Sequence, residues 1–137
     1  MNRKNLQELS IIRLKEAKHL IDNNFFDGAF YLCGYSVECA LKACIAKNTK
    51  KYDFPDKKVV FESFVHEPIK LVKIAGLGLK LEQEIEDSAE FKIYWNVLKD
   101  WSEASRYKRY SRLEALDLYE AISNSENGIM SWIKKYW

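Results

Sequence analysis

The chain has 137 residues, 47% apolar and 31% charged, with 22 Lys and Arg against 20 Asp and Glu for a net charge of +2. That length suits one domain, residues 1–137, with one core. The near-balance of charge excludes nucleic-acid affinity from bulk charge alone, so any such binding must come from a local patch.

Met1 to Glu8 is polar and lacks the apolar run of a signal peptide. No stretch reads as approaching the length of a membrane span. A cytoplasmic protein with no membrane partner is expected. Residues 5–23 read as a first amphipathic helix, with Leu6, Leu9, Ala17, Leu20 and Ile21 on one stripe. Ser10 and Arg13 interrupt that stripe. Arg13 therefore predicts an acidic partner, with Glu38 the candidate. Asn23 and Asn24 break the helix, and Asp27 is placed to cap the next one.

Helix two is predicted over residues 28–47. Ala29 to Ala43 is apolar and small around most of its circumference, as expected of a helix buried in a bundle or at a subunit interface. Ala29, Leu32, Cys33, Ser36, Val37, Ala40 and Cys44 form its core face. One polar seam runs along the helix: Tyr35, Glu38 and Lys42 each fall within roughly 40° of Tyr31 at 100° per residue. Glu38 and Lys42 stand four apart in the favourable order. The seam reads as a structural salt bridge, or as a wall of a nucleotide or RNA groove lined by Lys42 and the tyrosines. Cys33, Cys39 and Cys44 match no zinc spacing and read as buried free thiols, so no metal or cofactor is expected.

Residues 48–64 are charged and broken by Pro55, and read as a long loop with an extended piece at Val59 to Phe61. Pro68 stands at a first helical turn, and Gly76 or Gly78 ends that short helix. Residues 81–101 read as helical with an irregularity near Asp87 and Ser88. A polar linker follows over residues 102–110. Ser111 and Glu114 then form a capping box that opens one last helix, with Gly128 inside it. With no strand pattern, the chain is all-α, an up-and-down bundle of four to five helices. Trp132, Tyr136 and Trp137 are expected as exposed aromatics that extend a homodimer interface.

Arg106, Tyr107, Lys108, Arg109 and Tyr110 put three cations and two aromatics into five residues ahead of a helix start. The cations suit phosphates and the tyrosines suit base stacking. A solvated linker with a salt-bridged arginine fits the same residues. His66, just ahead of Pro68, is placed to cap the short helix or to reach a carboxylate. Arg13 and His19 lie about 120° apart on one helix and do not converge. Nucleophilic triads, paired catalytic carboxylates and phosphate-cradling glycine loops are absent from the sequence.

These residues resemble the HEPN (higher eukaryotes and prokaryotes nucleotide-binding) domain family. The likeness rests on Gly28 to Ala43, with its Glu-x-Ala-Leu-Lys turn; on Val65 to Leu77, similar to the family's His-x-x-x-x-Leu segment; and on Trp101 to Tyr107, similar to its Trp-Ser-Pro-Glu-Ser-Arg-Tyr segment. The resemblance implies a helical bundle that commonly dimerises. Family members include metal-independent ribonucleases, toxin components, partners of small nucleotidyltransferases and inactive binding domains. The ribonucleases use an Arg followed four to six residues later by a His. Here Arg106 and Arg109 stand where that Arg belongs, but no His follows residue 66. The resemblance therefore implies a non-catalytic domain, in a toxin–antitoxin or defence setting, that binds RNA, nucleotide or a partner protein. Arg106, Tyr107, Arg109 and Tyr110 would make the contacts, with Lys42, Tyr35 and His66 nearby. The alternatives are a ribonuclease toxin that uses His66 in place of the missing His, and an interaction partner of a nucleotidyltransferase.

Overall fold

The computed structural model describes residues 1–49 and 64–137. The charged run from Lys50 to Lys58 and the extended piece expected at Val59 to Phe61 lie outside the described residues. The described residues form seven helices and no strand: α1 Arg3–Asp22, α2 Phe26–Asn48, α3 Pro68–Ile74, α4 Gly78–Asp87, α5 Ala89–Leu98, α6 Arg112–Ser123 and α7 Ile129–Ile133. A short 3₁₀ helix, Glu103–Tyr107, stands between α5 and α6.

Helix α2 is the axis of the fold. Helices α1, α3, α6 and α7 and the 3₁₀ helix all pack against it. Its small residues, Ala29, Cys33, Gly34, Ala40, Ala43 and Cys44, are buried, so neighbouring backbones approach closely. At 23 residues α2 is long and apolar enough to cross a membrane, which the sequence reading did not allow for; 67% of that apolar window is covered by the rest of the fold. A helix apolar nearly all round is what the centre of a bundle requires.

Ser10, the polar break in the stripe of α1, is buried and donates its hydroxyl to the carbonyl of Ser36 at 2.7 Å. The break is thus an interhelical hydrogen bond. Arg13 does not reach Glu38. It pairs with Glu16, one turn on along its own helix. Asp27 is not the cap of α2 either. It lies in the first turn, where its carboxylate accepts the backbone N–H of Tyr110 at 2.6 Å.

Pro68 starts α3 as expected, and Gly76 follows its end at φ +75°. The irregularity expected near Asp87 is a new helix start, where the Ser88 hydroxyl accepts the N–H of Phe91 at 3.1 Å. The last helix is two helices, not one. After α6 the Asn124 side chain accepts the N–H groups of Glu126 at 3.1 Å and Asn127 at 2.9 Å, turning the chain. Gly128 caps α7, and a Cβ there would stand 2.3 Å from the Asn124 carbonyl oxygen. This turn carries the final residues back onto the core. Trp132 is consequently buried, and Tyr136 and Trp137 are half-buried, so the exposed aromatic cluster expected there does not form. Trp132 packs on Phe91, with ring centroids 5.5 Å apart. The three thiols are free and buried, as read from the sequence.

Candidate functional site

The segment from Trp101 to Tyr110 is docked on α2 at three points. The Trp101 indole lies over Gly34 and stacks with Tyr31, ring centroids 6.0 Å apart. Ser105 is buried. Tyr110 stacks flat on Phe30, with centroids 3.6 Å apart and planes 9° apart, while its N–H is held by Asp27. The expected polar linker is therefore a fixed 3₁₀ turn.

Between the last two anchors, Arg106, Tyr107, Lys108 and Arg109 all stand in solvent. Tyr107 is 80% exposed, and the Arg106 guanidinium lies 5.0 Å from its ring centroid, a cation–π distance. Tyr107 foremost, with Tyr31 and Glu103 behind it, pushes the Arg106 pKa further up, so its charge is permanent. Arg109 is exposed and, with Tyr110 and the Asn24–Gly28 corner, lines a recess of about 300 Å³.

The polar seam of α2 faces the same turn. Glu38 is only 3% exposed, and a buried carboxylate needs partners. Its Oε1 accepts from Lys42 Nζ at 2.9 Å and lies 2.6 Å from His66 Nδ1. His66 Nε2 in turn lies 3.1 Å from Glu103 Oε2 on the 3₁₀ helix. Both ring nitrogens thus face carboxylates. An imidazolium donates to both, whereas a neutral ring donates to one. Lys42, Glu38, His66 and Glu103 form one connected polar chain that ties α2, the approach to α3 and the 3₁₀ helix together. Of the two roles expected for His66, it takes the carboxylate contact; the cap position of α3 belongs to Glu67.

Tyr35 lies half-buried beside Tyr31, with ring centroids 6.0 Å apart. Burial first, then Cys39 and Glu38, raises its hydroxyl pKa, so it stays neutral. Of the residues singled out in the sequence, Tyr35, Glu38, Lys42 and His66 lie along the middle of α2, and Arg106 and Tyr107 stand on the 3₁₀ helix docked beside it. Arg109 and Tyr110 sit at the neighbouring corner. Arg13 and His19 stay on α1, away from this assembly. Sequence reasoning missed Glu103, Gly34 and Phe30. Their only signal was membership of the two motifs, which says that a position matters and not what it touches. Among the described residues no group of His, Cys, Asp and Glu is arranged to hold a metal.

These features define a class: an all-α bundle with a small-residue central helix, a buried carboxylate seam and a cation–aromatic turn docked across it. The HEPN domain profile matches residues 8–136, nearly the whole chain, so the protein belongs to the HEPN domain family. No curated protein and no solved structure matches the chain.

Proposed function

We propose that this HEPN domain binds the phosphates of RNA or free nucleotide and does no catalysis of its own. The observation that carries the reading is the exposed Arg106–Tyr107 pair, a fixed cation against an aromatic face on an otherwise docked turn. Arg106 and Arg109 neutralise phosphates, and Tyr107 offers a face on which a base stacks. Tyr110, held against Phe30, positions the two arginines. The absence of catalysis is supported by the histidines. Neither histidine stands four to six residues after Arg106 or Arg109, and His19 lies elsewhere, on α1.

We also propose that the domain self-associates. Ile93 and Val97, 61% and 38% exposed and one turn apart on α5, support that reading. Analytical ultracentrifugation across a concentration series reads it directly.

The binding reading is tested by fluorescence anisotropy with a labelled single-stranded RNA and with a labelled nucleotide, over a salt series. Arg106→Ala with Arg109→Ala removes two phosphate contacts. The slope of log affinity against log salt should then flatten by about 1.4, at roughly 0.7 per contact for single strands. Unchanged affinity and slope for both probes would refute the proposal. RNA cleavage by the wild type that His66→Ala abolishes would replace it with the ribonuclease reading.

A further inference from the structure

We infer that Glu103 fills a phosphate subsite: a phosphate oxygen of the bound nucleotide or RNA displaces it from His66 Nε2, one turn from Arg106. This inference rests on the phosphate-binding reading and assigns it a second contact point.

The geometry begins with His66. Glu38, buried behind it, takes Nδ1 at 2.6 Å and fixes the plane of the ring. The Nε2 side then points to the 3₁₀ helix, with the imidazole 36% exposed. What it meets is the Glu103 carboxylate, itself 48% exposed and 3.1 Å away. In a 3₁₀ helix side chains three apart lie one above the other. Glu103 and Arg106 therefore share a face, and Glu103 is among the charges that act on Arg106. An anionic group already sits against the outer nitrogen of a ring held from behind, one turn from a permanent cation.

The charge count favours exchange. With Glu103 in place, Lys42 and Arg106 balance Glu38 and Glu103. With Glu103 swung out, two cations face one buried anion, a positive surplus that suits a phosphate. A phosphate monoester carries about −1.5 to −2 near neutrality. The contact that must break is between exposed groups, a kind that typically contributes under about 1 kcal/mol. A phosphate oxygen would replace it with a charge-assisted hydrogen bond to the ring. The other polar neighbours do not compete. Glu67 accepts the backbone N–H of His66 at 3.2 Å, and the Tyr35 hydroxyl is neutral.

The experiment is an NMR titration of the histidine ring signals. The chain has two histidines, so the His66 resonance is assigned by its loss in His66→Ala. The probes are adenosine 5′-monophosphate, a 5′-hydroxyl RNA tetranucleotide that carries diesters alone, and adenosine as the phosphate-free control. The His66 signal should move with at least one phosphate probe and not with adenosine; which probe moves it identifies monoester or diester. Glu103→Gln, which keeps size and removes charge, should tighten that probe's apparent Kd at least threefold. A Glu103→Gln variant that binds no tighter, or a His66 signal indifferent to every phosphate, overturns the inference. If RNA affinity in the same samples still depends on Arg106 and Arg109, the proposed function survives that failure. If it does not, both fall.

Discussion

Gly34 and Trp101 interlock: a Cβ at residue 34 would stand 2.1 Å from the Trp101 ring, well inside van der Waals contact. The missing side chain of one residue is the seat of the other. Because Trp101 leads directly into the 3₁₀ turn, a contact in the core of α2 sets the position of Arg106. Gly34→Ala should therefore cost about 1–3 kcal/mol by overpacking, against the small gain in helix propensity that alanine brings at an exposed site. Urea unfolding measures the loss. RNA affinity should fall with it in protein that remains folded, and a variant of wild-type stability would show that the indole has somewhere else to go.

The Glu38 carboxylate holds two partners from inside the fold, and Glu38→Ala leaves Lys42 and His66 without their shared acceptor. A loss of about 1–3 kcal/mol is expected, with Glu38→Gln milder because it keeps one acceptor oxygen. In a double-mutant cycle with Lys42→Met, the two residues should couple by at least about 0.5 kcal/mol. Additive effects would mean that the 2.9 Å contact contributes nothing measurable.

Tyr110→Ala removes an anchor of the turn and no phosphate contact. The stack on Phe30 contributes about 0.5–1.5 kcal/mol beyond its area burial. Affinity for single-stranded RNA should drop while the salt slope stays as in the wild type. A slope that flattens as it does on loss of Arg106 and Arg109 would show that Tyr110 does more than position the arginines.

The thiols give a prediction about pH. Burial pushes Cys33 from an ordinary 9.0 up to about 12, and Cys39 and Cys44 up to about 11. The thiolate is the reactive form, so labelling by a soluble disulfide reagent at neutral pH should be slow until the protein unfolds. The folded state holds these protons above the pH at which the unfolded chain releases them. Their contribution to stability is therefore fully present below pH 9 and declines as pH rises, by about 1.4 kcal/mol per unit for each thiol until its folded pKa is reached. Cys33→Ala should make the stability–pH curve shallower above pH 9, a change that guanidinium unfolding at several pH values detects.

The candidate site was only partly legible in the sequence, and Arg106 shows why. Three cations and two aromatics in five residues mark a patch, but a solvated linker has the same composition. What turns the patch into a fixed surface is the burial of Trp101 and Ser105 and the stacking of Tyr110 on a residue 80 positions earlier. Glu103 is a similar case. It is one acidic residue among twenty Asp and Glu in the sequence, and only its place opposite His66 singles it out. Arg13 erred the other way. Helical periodicity put it in an apolar stripe, and a local partner, Glu16, answered its charge before any distant one could.

By itself the sequence determined the all-α class, the buried central helix, the Glu38–Lys42 pair and the capping box at Ser111. Each follows from residues three or four apart on one helix, where spacing alone sets which side chains meet. The tertiary structure alone decided the split at Gly128, the capture of Asp27 by Tyr110, the seat of Trp101 on Gly34 and the bridge from Glu38 through His66 to Glu103. Those contacts join residues far apart in the chain, and they exist because the elements around α2 compete for the same buried space, which no local pattern encodes.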